Sequence, residues 1–118
     1  MSTTDSHLPL KADVLLILLA LRDGERHGYA IMRDAEVRSE GAVRLQTGAL
    51  YRTLKRLLDD GLVSETPRPP GTDGDDERRR YYRLTRLGAA VVAAELERLA
   101  RLVEAARRPA GVRRAHLA

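Results

Sequence analysis

The chain has 118 residues, 43% of them hydrophobic, which suits one domain; at this length roughly two-thirds of the unfolded surface can be buried on folding without staples. It contains no cysteine, which excludes disulfides and thiolate metal sites and is compatible with a reducing compartment. A net charge of +4 with a pI near 10.0 favours an anionic partner without specifying one.

Four tyrosines are the only aromatic residues, so the core must be built from Leu, Val, Ile and Ala. Residues 1–7 are polar and lack a basic n-region, so they do not read as a secretory signal. The longest apolar run, residues 14–21, falls far short of the ~20 needed to span a bilayer. The expectation is a soluble cytoplasmic protein without a membrane partner.

In chain order, residues 1–7 read as a frayed tail. Pro9 suits the first turn of a helix over residues 10–22. The middle of this helix, VLLILLAL, is apolar all round, so it must pack against its own domain on one side and another helix or subunit on the other. Asp23-Gly24 ends it. A second helix opens at His27-Gly28-Tyr29 and runs to about Ser39, with Ala30, Ile31 and Ala35 inward and Arg33, Asp34, Glu36 and Arg38 outward. His27 has no second ligand at metal-binding spacing, so it reads as a capping or packing residue.

The stretch over residues 46–63, QTGALYRTLKRLLDDGLV, reads as the organising helix. Leu50, Tyr51, Leu54, Leu57 and Leu58 fall on one side at buried-stripe spacing, and Arg52, Lys55 and Arg56 on the other. Thr47, expected to cap it, makes a slim leading end with Gly48 and Ala49, and Gly61 should end it in a left-handed conformation. From residue 42 to 58 there are four cations, including Arg44, and no acid. Such a helix suits a DNA groove; the competing reading is an ordinary solvated charged face.

Residues 62–66 and 78–85 are β-compatible and flank the turn-rich PRPPGTDGDDE. Three helices, the third basic, plus a two-stranded hairpin spell a winged helix-turn-helix of mainly α (α+β) class, which places its third helix in the major groove. Arg78, Arg79 and Arg80 stand where the return strand can reach DNA, with Arg68 a weaker contact. The four carboxylates Asp73, Asp75, Asp76 and Glu77 should keep the wing tip away from phosphate. They lack the ligand spacing of a calcium loop.

Thr85 should cap a last helix over residues 86–108, where Val92, Leu96, Leu99, Val103 and Ala106 alternate steps of four and three as a heptad seam. Either a second copy covers this seam or the helix folds back over its own domain. The expected division is a DNA-binding unit over residues 1–84 and a dimerisation helix with a basic tail over residues 85–118.

The apolar run at residues 10–21, HGYAI at 27–31, GALYRTLKRLLDDGLV at 48–63 and RRRYYRLTRLG at 78–88 together resemble the PadR family of bacterial transcriptional regulators, in its short form with a single C-terminal helix. The resemblance covers most of the chain, and the second pair of motifs in combination is specific. It implies a homodimer that binds a palindromic operator in double-stranded DNA, usually as a repressor. Dimerisation would run through the last helix (Val92, Leu96, Leu99, Val103), supported by the first (Leu15, Leu18). Members of the family often respond to hydrophobic or phenolic compounds, and the place for such an effector would be between the first and last helices of the dimer, where the sequence offers no convergent polar set that names a ligand.

On this reading Thr47, Gly48 and Ala49 let the helix nose approach the groove, and Tyr51 bridges core edge and phosphate. Arg52, Lys55 and Arg56 contact bases and phosphates, and His27 and Tyr29 hold a neighbouring phosphate. For Tyr29, packing under the wing is the competing role. Two departures from the family pattern stand out: Arg52 replaces a proline common after the Leu-Tyr pair, and the tryptophan common after the Gly-Leu dipeptide is missing. The rival function is a winged helix used for protein interaction. No nucleophile–base pair or phosphate-cradling loop suggests an enzyme, and no catalytic residue, metal or cofactor is expected.

Overall fold

The computed structural model describes residues 4–66 and 80–109. Their elements are α1 (Ala12–Ala20), β1 (Arg26–His27), α2 (Gly28–Arg38), α3 (Thr47–Asp59), β2 (Val63–Thr66), β3 (Tyr81–Leu84) and α4 (Arg86–Arg107). This is a winged helix-turn-helix fold, as the pattern of the sequence predicts. Arg78, Arg79, Arg68, the four loop carboxylates and the C-terminal basic tail lie outside the described residues.

The sheet has three strands rather than two, in the order β1-β3-β2 and antiparallel throughout. β3 is central: Tyr82 faces Arg26 on one side and Glu65 on the other, and Tyr81 lies between His27 and Thr66. A two-residue strand carries no period-2 signal, so β1 is invisible in the sequence. Arg26 holds this strand in place by donating from Nε to the Ala20 carbonyl at the end of α1, at 2.7 Å.

α1 is shorter than residues 10–22, and Pro9 precedes it rather than forming its first turn. Ahead of it, residues 5–7 form one 3-10 turn instead of a frayed tail. Leu8 and Leu10 pack on the core, and the Leu10 amide donates to Glu95 of α4 at 2.9 Å, so this segment is anchored. The core gathers Ile17, Leu18 and Leu21 from α1 and its end, Ile31 from α2 and Leu50, Leu54 and Leu57 from α3. Leu62, Val63 and Tyr82 join from the hairpin, and Val91 and Val92 from α4.

Two predicted helix boundaries match the geometry. Gly61 adopts φ 79° past the end of α3, so that the Leu62 amide can turn back to the Leu57 carbonyl at 3.0 Å. Thr85 caps α4 by accepting from the Gly88 amide at 3.0 Å, and its hydroxyl also donates to the Gly61 carbonyl at 2.7 Å. One boundary differs. Gln46, without a side-chain hydrogen bond, occupies the cap position of α3, and Thr47 is the first helical residue. The extended backbone of Gln46 already sets the start of the helix, which leaves the Thr47 side chain exposed at its nose.

Candidate nucleic-acid interface

The buried stripe of α3 is Leu50, Leu54 and Leu57, which fixes which side faces outward. Gly48, Arg52, Lys55 and Arg56 are exposed there, with Thr47 beside them and Ala49 half-buried at the edge. Lys55 stands 4.0 Å from Asp59, an exposed pair that salt screens and that contributes little. Neither Arg52 nor Arg56 pairs with a carboxylate among the described residues. Gly48 matters to Arg52: a Cβ at that position would lie 3.3 Å from the guanidinium Nη1, so the missing side chain leaves room for the arginine head to lie along the helix nose.

Tyr51 is 42% exposed, and its ring leans on the start of α2. A Cβ on Gly28 would collide with the Tyr51 hydroxyl and sit 2.8 Å from its Cζ, so only glycine lets the two helix starts approach this closely. His27 caps α2: its Nδ1 accepts from the Ala30 amide at 3.2 Å. The His27 ring stacks at 6.4 Å on Tyr29 and meets Tyr81 of β3 edge-on at 5.6 Å. Tyr29 is not packed under the wing; it is 58% exposed, with the Arg33 guanidinium 6.0 Å from its ring centroid. The structure therefore brings His27, Tyr29 and Tyr51 together at one end of the basic face. Tyr81 and Arg33 also belong to this cluster. The sequence reading missed them because Tyr81 arrives through strand register and Arg33 looks like any outward helix residue.

On the wing, Arg80 is exposed and donates to Glu65 at 2.9 Å, so it reaches across the hairpin rather than standing alone. Beneath it Tyr82 is buried. Burial pushes its phenol above the ordinary tyrosine value, Glu65 and then Tyr51 add to this, and Arg80 opposes it, so Tyr82 stays neutral.

The positions expected to dimerise divide along α4. Val92 is buried in the protomer's own core, and Leu96 packs against it. Leu99 is half-buried, while Leu102 and Val103 are 56% and 49% exposed. On α1, Leu18 is fully enclosed by its own chain and Leu15 is half-buried. The uncovered apolar surface thus starts at Leu99, about two turns later than the heptad pattern suggests, and includes Leu102.

Comparison with known proteins agrees with this architecture. The model of the transcriptional regulator PadR-like family matches residues 17–94. An uncharacterized 37.1 kDa protein in transposon TN4556 of Streptomyces fradiae is 39% identical over 88 residues, covering 75% of this chain but only 23% of that protein. The crystal structure of a PadR family transcription regulator from Clostridium difficile superposes with a TM-score of 0.68 at 24% identity, covering 80% of this chain and 94% of that one. Bacillus subtilis PadR in complex with operator DNA gives a TM-score of 0.61 at 26% identity, covering 73% of this chain and 48% of that one. No helix among the described residues is long and apolar enough to cross a membrane. The family model spans the helix-turn-helix, the wing and the buried half of α4, and this chain belongs to the PadR-like family of transcriptional regulators.

Proposed function

We propose that this protein is a cytoplasmic homodimeric repressor that binds a palindromic operator in duplex DNA through α3. The observation that carries the reading is the outer face of α3, where Arg52 and Arg56 are exposed and, among the described residues, free of carboxylate partners beside a small-residue nose. Bases are read from the major groove by arginine and lysine, and phosphates fix the register. His27 and Tyr29 lie where a phosphate beside the groove would be held, and Arg80, weakly tied to Glu65, is free to exchange that exposed pair for a phosphate. The exposed Leu102 and Val103 of α4, with the half-buried Leu99, form the proposed seam with a second copy, and a hydrophobic or phenolic effector would enter between α1 and α4 of the two copies.

The test is a titration of duplex DNA at several salt concentrations with wild type and with the Arg52→Ala, Lys55→Ala, Arg56→Ala triple variant. Wild type should show a steep negative slope of log K against log salt, and the variant a slope flattened by about 0.9 for each phosphate contact removed. Unchanged binding by the triple variant would remove α3 from the interface. A wild type with no salt slope would favour the protein-interaction module.

A further inference from the structure

A second side of α3 offers a contact that neither the sequence motifs nor the family match assigns. A helix lying in a major groove about 12 Å wide has a phosphate backbone on each flank. On one flank of α3 stands the start of α2, joined through Tyr51 and Gly28. On the other, the first turn of α1 closes against Ala49, Arg52, Thr53 and Arg56, leaving a groove of about 210 Å³ that is also lined by Lys11, Asp13 and Val14. Three cations meet there with one carboxylate. Asp13 is half-buried and accepts from its neighbour, the Val14 amide, at 2.8 Å, so it is engaged in the first turn of α1. None of Lys11, Arg52 and Arg56 pairs with a carboxylate among the described residues. A merely solvated face spreads its charges along one helix. Here two elements more than thirty residues apart in sequence converge their cations on one concavity.

We propose that Lys11, together with Arg52 and Arg56, clamps a backbone phosphate of the DNA strand opposite the one met by His27 and Tyr29. The segment bearing Lys11 is fixed on α4 by the Leu10–Glu95 hydrogen bond, so the lysine is carried by an anchored stretch. The inference rests on the DNA-binding reading above and extends it to α1, making the interface two-sided around α3.

The contact is sequence-independent, so the full-length protein can be tested by fluorescence anisotropy on a labelled mixed-sequence duplex between about 50 and 200 mM salt. Lys11→Gln should weaken binding at the low-salt end and flatten the salt slope by about 0.9, the signature of one lost phosphate contact. Lys11→Arg should restore both. Arg22→Gln, an exposed cation past the other end of α1, should leave the slope as in wild type. A steep wild-type slope with Lys11→Gln indistinguishable from Arg22→Gln would overturn the clamp and leave the role of α3 standing. A flat wild-type slope would overturn both.

Discussion

Glu95 lies 1% exposed on the inner side of α4, where Arg98 grips its carboxylate at 2.6 and 3.0 Å and the Leu10 amide donates to it at 2.9 Å. A carboxylate so buried is tolerated only because it is paired and hydrogen-bonded. The Arg98 hydrogen bond is the main influence holding its pKa below the ordinary glutamate value; burial opposes it, and the Leu10 amide and the arginine charge reinforce it. A depressed folded-state pKa contributes stability that is fully present above the unfolded value, about 4.3 for glutamate, and is lost as pH falls through the lower folded value. Glu95→Gln should therefore destabilise the protein at neutral pH by about 1–2 kcal/mol, a modest figure because Arg98 is one-third exposed and can rehydrate. Denaturation midpoints measured from pH 7 downward should show the gap to wild type closing below about pH 4. A gap that stays constant with pH would show that the charge of Glu95 is not what stabilises.

Among the elements, the closest approach is α4 against the end of β2. A Cβ on Gly88 would run into the Leu62 carbonyl oxygen and sit 2.9 Å from Leu84 Cδ1. That oxygen also accepts from the Thr85 amide at 3.1 Å, so it cannot retreat freely. Alanine would improve helix propensity by about 1 kcal/mol, whereas overpacking against backbone costs about 1–3 kcal/mol. Gly88→Ala should thus lower the thermal midpoint by several degrees in calorimetry, and a midpoint at or above wild type would mean that the helix and strand can part at little cost. The elements also differ in how legible they are. The stripe of α3, the Thr85 cap and the Gly61 stop are local chemistry and can be read directly. The cap at Gln46 escapes because backbone geometry alone makes it, and β1 escapes because two residues hold no pattern.

At the scale of the whole molecule, the distal half of α4 is apolar and uncovered at Leu102 and Val103. A Leu102→Asp, Val103→Asp variant avoids Val92 and Leu96, which serve the protomer's own core, and so tests association rather than folding. Sedimentation should show wild type as a dimer and the variant as a monomer; a variant that sediments like wild type would place the interface elsewhere. A twofold dimer joined there would present its two α3 helices to half-sites about 34 Å apart, one turn of the duplex.

The sequence by itself determined the helix-turn-helix and wing order, the side of α3 that is buried and the family, because periodicity, capping and turn chemistry act within a few residues. Only the tertiary structure decided the third strand, the gathering of His27, Tyr29 and Tyr51 around Gly28, the anchoring of the N-terminal segment on Glu95 and the meeting of Lys11 with Arg52 and Arg56. These depend on which surfaces the packed core turns toward one another, and residues distant in the chain carry no local mark of the contacts they will share.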